Sequence, residues 1–233
     1  MNRAPKKGYE FVRERPEAMF TPPAFAMESQ AALRAHCARH DFGFLVLSGA
    51  TPTDPPQTTA LPMLIDGPDE APVLIAHVAR ANGIWRAFDG EHAAVALFPG
   101  PHAYISPHWY AGDPAQAVPT WNYTLVQATG RPRAVDDPVR AQEILHALSQ
   151  SQEPGEGGWR PDGPAQATVT RMLPGIVAFE MPVESLTGKA KLSQNRKAVD
   201  REGVIAGLRA SGAYDALAVA DLMASLDIEG GSG

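Results

Sequence analysis

Runs in which apolar and polar residues alternate dominate the first two thirds of the chain. The longest covers residues 118–130, where Trp121, Tyr123 and Leu125 fall on one side and Asn122 and Thr124 on the other. A period of two residues is that of a β-strand, whose successive side chains point to opposite faces. Such patterns predict strands at 41–48, 59–65, 72–78, 93–98, 102–106, 118–130 and 172–183.

Helical patterns flank these strands instead of alternating with them. The clearest, at residues 136–150, carries Val139, Ile144, Leu145 and Leu148 at helical spacing. Helices are predicted at 27–40, 136–150, 195–208 and 213–226, with a short helix or turn at 82–87. A wound parallel sheet does not fit this order, so the chain is expected to form a β-barrel with flanking helices, a mainly β fold of the α+β class.

Composition limits the size and setting of this fold. The chain has 233 residues, of which 44% are hydrophobic, enough for one large domain or a domain with an appendage. The 22 prolines and 21 glycines favour many short elements. The single Cys37 excludes an internal disulfide and favours a reducing compartment.

Charge and hydropathy narrow the expected partners. The net charge of −6 argues against a DNA-binding surface, because such surfaces usually carry a basic patch. No apolar run approaches the roughly 20 residues that span a bilayer, and the charged residues 1–8 lack the apolar segment of a secretory signal. We expect a cytoplasmic protein with no membrane partner.

Candidate binding chemistry concentrates between residues 75 and 123. Three of the four tryptophans and four of the seven histidines lie there, a mixture typical of a pocket for a flat, partly charged ligand. Arg80, beside Asn82, could donate two parallel hydrogen bonds to phosphate oxygens. An ion pair is the other reading of Arg80, and tryptophans are more often core than ligand platforms.

A second candidate anion site lies in residues 186–196. Lys189 and Lys191 alternate, so on an extended segment both ammonium groups point the same way, next to Ser193, Gln194 and Asn195. The more common explanation for a charged run of this kind is a surface exposed to solvent.

No catalytic or metal-binding residue emerges from the pattern. His36 and His40 share a helix face, but the favoured reading places them in a last turn, where the helix dipole stabilises positive charge. His102 and His108 have no nucleophile signature beside them. The chain also lacks the glycine-rich phosphate loops of Rossmann and P-loop proteins.

A set of short blocks, taken in order, resembles the PaiB family of FMN-binding negative transcriptional regulators. The blocks are Leu61-Pro62, His77-Val-Ala-Arg80-Ala-Asn82, Gly100-Pro-His102-Ala-Tyr104-Ile-Ser106-Pro107, Trp109-Tyr110, Val118-Pro-Thr-Trp-Asn-Tyr123 and Gly188-Lys-Ala-Lys-Leu-Ser-Gln-Asn-Arg196. The resemblance covers about residues 19–208. It implies the FMN-binding split β-barrel fold, a homodimer, and a flavin at the subunit interface.

The resemblance also implies a set of cofactor-binding residues. In this set Arg80 is the phosphate ligand, and Lys189, Lys191 and Gln194 close the site from the same or the other subunit. The set is Leu61, His77, Ala79, Arg80, Asn82, Tyr104, Ser106, Trp109, Asn122, Lys189, Lys191 and Gln194. The sequence departs from the family pattern at Ala60, where a histidine is usual, and at Gly83, where a proline is usual.

The expected domain organisation is a lead-in over 1–18, a split-barrel domain over 19–195 with an inserted helix near 136–150, and C-terminal helices over 196–228 packed on the barrel or the dimer. A flavin-dependent regulator is the first functional hypothesis. Residues 200–225 have a helix-turn-helix outline, but residues 214–225 contain no Lys or Arg, which leaves direct DNA binding weakly supported. The alternatives are an FMN-dependent oxidoreductase or flavin reductase and, less favoured, a haem protein with His77 or His102 as axial ligand.

Overall fold

The computed structural model describes residues 19–51 and 53–226. The expected lead-in over 1–18 lies outside the described residues. The helices are α1 (Gln30–Arg39), α2 (Pro138–Gln152), α3 (Gln166–Met172), α4 (Ala198–Ser211) and α5 (Ala216–Ala224). The strands are β1 (Phe42–Leu47), β2 (Gln57–Pro62), β3 (Leu64–Asp66), β4 (Val73–Ala79), β5 (Ala94–Ile105), β6 (Thr120–Gly130), β7 (Arg133–Ala134) and β8 (Ile176–Lys191).

The strands form one antiparallel sheet in the order β2-β1-β5-β6-β8-β4-β3, with β7 also paired to β8. Strand β8 joins the two halves, because its first part pairs with β4 and its second part with β6. An extra residue, Glu184, interrupts the β6 pairing where the partner changes, and such a bulge bends a strand. The sheet curls so far that Asn82, just after β4, donates a hydrogen bond from Nδ2 to Oγ1 of Thr59 on β2 at 3.0 Å. The predicted split barrel with flanking helices, an α+β fold, is confirmed.

The main core fills the inside of this curled sheet. Its largest fully buried side chains include Leu45, Phe98, Phe179 and Met181, and α1 covers it with Leu33 and Cys37. Burying one such side chain contributes about 1.5–3 kcal/mol relative to leaving it in water. The inward residues of β6, Asn122, Thr124 and Val126, follow the predicted alternation.

The C-terminal helices build a second core against the far ends of β5 and β8. Val204 and Leu208 of α4 meet Val219 and Met223 of α5, and this cluster also contains Leu192. Helix α5 is therefore docked on the barrel through its apolar face.

Several predicted element bounds are wrong, for identifiable reasons. Helix α1 begins at Gln30, not at residue 27, because the Ser29 hydroxyl caps it and accepts a hydrogen bond from the Ala32 amide at 3.4 Å. The two strands predicted on either side of Pro99–Pro101 are one strand, β5, whose register shifts there.

The strand predicted at 172–183 is wrong at both ends. Met172 ends α3, and a 3-10 turn over Leu173–Gly175 follows it before the strand begins. Strand β8 instead runs from Ile176 to Lys191, so the second candidate anion site, residues 186–196, begins within this strand. A short helix was correctly predicted at 82–87, where Gly83–Ala87 forms one 3-10 turn.

None of the helices in the described part of the chain is long and apolar enough to cross a membrane.

Candidate functional site

Two arginines flank one tryptophan just after β4, forming what we name the Arg80 cluster: Arg80, Asn82, Trp85 and Arg86. The guanidinium carbons of Arg80 and Arg86 lie 5.4 and 5.1 Å from the centroid of the Trp85 ring. The ring is held by a hydrogen bond from its Nε1 to the carbonyl oxygen of Arg80 at 2.9 Å. Asn82 caps the 3-10 turn, because its Oδ1 accepts from the Ile84 amide at 3.3 Å. The turn thus places both cations on one platform.

The positive charge of the Arg80 cluster is not neutralised by the described residues. No carboxylate there forms an ion pair with either arginine. Arg80 donates from Nε to the Pro174 carbonyl at 2.7 Å and from Nη2 to the Ile176 carbonyl at 3.0 Å. These two bonds hold its side chain in place, and Nη1 has no partner among the described residues. A fixed guanidinium with a free edge is suited to bind an oxyanion.

Gly83 gives Arg86 room in this cluster. A β-carbon at Gly83 would lie 2.8 Å from Nη1 of Arg86, so a larger residue would push the guanidinium aside. Glycine in place of the usual proline at this position therefore leaves room for the guanidinium of Arg86.

A small cavity adjoins His77 on the same strand, between the sheet and α2. It has a volume of about 290 Å³. Burial lowers the pKa of His77, which favours the neutral imidazole. The lining residues include Pro62, His77, Leu145, Leu148, Gln152 and Trp159. This cavity offers apolar walls with one neutral imidazole at its edge.

Lys189 and Lys191 lie near the other end of β8. Lys189 is buried, donates to the Phe20 carbonyl at 3.1 Å and lies 5.4 Å from the ring centroid of Tyr123. Lys191 donates to the Thr120 hydroxyl and, at 2.7 Å, to the Trp121 carbonyl. Both ammonium groups are held by protein oxygen atoms.

The polar residues around these lysines have structural partners. Asn122 is fully buried and donates to the Ser193 hydroxyl at 3.0 Å. Gln194 closes the turn after β8, since its Nε2 donates to the Ala190 carbonyl at 2.5 Å and its Oε1 accepts from the Leu192 amide at 2.8 Å. These bonds give the turn its shape.

The remaining residues of the expected set lie on β2, β4 and β5 and in the 3-10 turn after β5. Leu61 is core and Ala79 is the exposed end of β4. Tyr104 is exposed, with its ring 6.1 Å from that of Trp121. Ser106 accepts a hydrogen bond from the His108 amide at 3.3 Å. Trp109 packs on α4, where Gly207 leaves space for its indole ring.

The structure therefore divides the twelve expected site residues among separate groups. Arg80 adjoins Ile176 at the start of β8, whereas Lys191 ends that strand. Sixteen residues of strand correspond to about 50 Å of extended chain, although the strand curls. Within one chain, Arg80 lies beside the start of β8 and Lys191 lies at its end.

The sequence pattern did not identify Arg86 as a member of this site. Its signal was available, because a second arginine follows Arg80 by six residues in a segment predicted to turn. One turn of helix after Asn82 is what folds the Arg86 side chain back over Trp85.

The histidine pair of α1 belongs to the core and its edge. The rings of His36 and His40 lie 4.6 Å apart, and His36 Nε2 is 2.9 Å from the Phe98 carbonyl, to which it can donate. Within residues 19–51 and 53–226, no group of three or more His, Cys, Asp or Glu side chains is placed to hold a metal ion. His102 is the other histidine considered as a haem ligand, and its Nδ1 lies 3.2 Å from Oδ2 of Asp215.

Comparison with known proteins identifies the family. Residues 19–185 match the model of the family described as "Putative FMN-binding domain". The chain is 30% identical over 205 residues to the protease synthase and sporulation protein PAI 2 of Bacillus subtilis, a match that covers 88% of this chain and 96% of that protein. An uncharacterised protein of Emericella nidulans is 26% identical over 202 residues, covering 72% and 80% of the two chains.

Solved structures with flavin-related names share the fold. The FAD and heme binding protein of Mycobacterium smegmatis superposes with a TM-score of 0.56 at 14% identity, covering 78% of this chain and 80% of that one. A flavocytochrome of Azotobacter vinelandii gives 0.54 at 14% identity, covering 71% and 69%. At this identity the likeness concerns the fold alone. The family match, the PAI 2 relative and the curled barrel agree: the chain belongs to the PaiB-like family of FMN-binding domains, and FMN is the cofactor that this membership supports.

Proposed function

We propose that this protein is a homodimeric, FMN-dependent regulatory protein in which Arg80 and Arg86 hold the flavin phosphate. The observation that carries the proposal is the Arg80 cluster, where no carboxylate among the described residues pairs with either guanidinium. A phosphate monoester carries up to two negative charges and three acceptor oxygens, which matches this donor set.

The rest of the flavin fits the neighbouring surface. His77 precedes Arg80 by three residues, about 10 Å along β4, a distance that a five-carbon ribityl chain can span. The cavity at His77 has apolar walls from Leu145, Leu148 and Trp159 that suit an edge of the flat ring. When bound, FMN supplies one- and two-electron transfer chemistry. The residues of the chain hold it, orient it and limit its exposure to water.

A second copy of the chain would complete the site. Lys189 and Gln194, at and just beyond the far end of β8, are bonded within the chain, so we propose that the turn they shape faces the flavin of the partner subunit. The support is an exposed aromatic cluster in which the Trp121 ring lies 6.1 Å from the ring of Tyr104 and 5.0 Å from that of Tyr214. Sedimentation equilibrium should return twice the chain mass of 24.8 kDa. A 24.8 kDa species at every concentration tested would contradict the dimer.

The regulatory role is proposed from the sporulation-related name of the PAI 2 relative. Direct DNA reading by α5 is disfavoured, because that helix contains no Lys or Arg and buries Val219 and Met223 against the barrel. We therefore infer that regulation proceeds through a protein partner. A gel-shift assay on the promoter upstream of the chain's own gene, run at several salt concentrations, tests this part, and salt-sensitive binding by the purified protein would contradict it.

Flavin titration tests the phosphate assignment. The chain is titrated with FMN, and binding is followed by the change in flavin fluorescence. Arg80→Gln and Arg86→Gln should each weaken binding by about tenfold to a hundredfold, the usual loss for a charge-assisted hydrogen bond. Arg171→Gln, an exposed arginine in the last turn of α3, is the matched control and should bind as the native chain does. Unchanged FMN affinity in both cluster variants would overturn the assignment.

A further inference from the structure

A second cationic cavity lies at the opposite end of β8 from the Arg80 cluster. We name it the Tyr110 pocket. It forms where β6 begins, β8 ends and the chain turns toward α4, and its volume is about 170 Å³. The lining residues are Tyr110, Val118, Pro119, Thr120, Asn122, Lys191, Ser193, Asn195 and Arg196. The cavity is small and combines apolar walls with a concentration of hydrogen-bond donors.

Positive charge in the Tyr110 pocket is uncompensated. Lys191 and Arg196 both line it, and no carboxylate in the described part of the chain forms an ion pair with either. Burial lowers the pKa of Lys191, and the charges of Lys189 and Arg196 lower it further, because the nearby cations repel one another. Asp200, an acid of α4 close to this region, accepts from the Ala111 amide at 3.0 Å and does not line the cavity.

An independent observation is the hydroxyl of Tyr110. The residue is only 9% exposed, and its hydroxyl oxygen is buried with no hydrogen-bond partner among the described residues. A buried donor without an acceptor is unfavourable, and proteins rarely leave one. An acceptor atom in the Tyr110 pocket would satisfy it.

The walls of the pocket are built to keep these donors in place. The guanidinium carbon of Arg196 lies 4.4 Å from the centroid of the Tyr110 ring, so the cation stacks on the tyrosine. The Arg196 amide donates to the Ser193 carbonyl at 3.0 Å, closing the turn that presents the side chain. The Asn122–Ser193 pair at 3.0 Å forms the buried floor.

We propose that the Tyr110 pocket is a binding site for a compact oxyanion, a carboxylate or a phosphate group, separate from the site of the flavin phosphate. Lys191 and Arg196 supply the charge and Tyr110 donates a hydrogen bond. The volume of about 170 Å³ is too small for a flavin and suits a small acid or the anionic head of a metabolite. Because Arg196 lies two residues before the start of α4, the ligand would also hold the start of that helix.

Calorimetric titration of the full chain, saturated with FMN, tests the proposal. The probes are inorganic phosphate and acetate as sodium salts, at ionic strength held constant with chloride. We expect saturable binding of at least one of them, and the stronger of the two tells which head group the pocket prefers. Arg196→Gln should weaken binding about tenfold or more, and Tyr110→Phe about threefold to tenfold. Arg171→Gln should change affinity less than about twofold.

A second set of measurements separates this site from the flavin site. The Arg80→Gln/Arg86→Gln double variant should retain phosphate or acetate binding while losing FMN. Retention of phosphate binding in Arg196→Gln with its loss in the double variant would place the anion at the Arg80 cluster and overturn the proposal. Absence of saturable binding of either probe by the native chain up to about 10 mM would overturn it as well. If FMN does not bind, the same titrations are run without it, so the two proposals fail independently.

Discussion

Two glycines allow α4 to lie directly on Trp109, and replacing either should destabilise the protein even though alanine is the better helix former. A β-carbon at Gly203 would lie 2.1 Å from the Trp109 carbonyl oxygen, and one at Gly207 would lie 2.4 Å from Cδ2 of the indole ring. Neither distance is tolerable between these atoms. Gly203→Ala must therefore shift α4 away from the backbone at Trp109, which cannot rotate aside as a side chain can.

The magnitude follows from two opposing effects. Helix propensity alone would stabilise a glycine-to-alanine change by about 1 kcal/mol. Overpacking costs about 1–3 kcal/mol, and a shift of α4 also exposes part of Val204 and Leu208, which are fully buried. For Gly203→Ala we expect a net loss of about 2 kcal/mol in the free energy of unfolding.

Urea unfolding followed by far-ultraviolet circular dichroism measures this loss, and the sign of the change is decisive. Ala206→Gly, at an exposed position of the same helix, is the control and should cost only about 1 kcal/mol. Gly207→Ala should become neutral or stabilising when Trp109→Ala removes the opposing ring. A Gly203→Ala variant that gains the full propensity benefit would refute the close packing of α4 on Trp109.

Two further predictions concern buried titratable groups. Burial lowers the pKa of His36, so the unfolded chain takes up a proton below about pH 6.5 that the native state resists, and stability falls as pH decreases. In urea unfolding at several pH values, His36→Gln should remove up to about 1.4 kcal/mol per pH unit of this loss; a pH slope equal to that of the native chain would contradict it. Burial raises the pKa of the Cys37 thiol to about 12, so a thiol reagent should label it at neutral pH only after urea unfolding. Rapid labelling of the native chain would show that the thiol is accessible.

Local pattern was sufficient to predict most of the sheet, but not the path of β8. Alternation identified β6 correctly, because one of its faces is buried along its length. The second half of β8, from Ser185 to Lys191, has Thr187 as its one β-branched residue, beside Gly188 and two lysines, which is a weak signal for a strand. Those residues are extended because they pair with β6, a contact between segments far apart in the chain.

The candidate site was predictable in composition and not in arrangement. Arg80 and Asn82 could be picked out because a guanidinium and an amide follow a strand. Their grouping with Lys189 and Lys191 stays a prediction, since within one chain the two sets lie at opposite ends of β8. Arg86 was missed because its role depends on the single turn that brings it over Trp85.

Arg80 and Arg86 are proposed to hold the phosphate of FMN, and a comparison of FMN with riboflavin tests this assignment most directly. Riboflavin has the same ring and ribityl chain but no phosphate. The native chain should bind FMN about a hundredfold more tightly than riboflavin, and the Arg80→Gln/Arg86→Gln double variant should bind the two within a few fold of each other, at an unchanged riboflavin affinity. A double variant that keeps the full preference for FMN would show that the phosphate is held elsewhere.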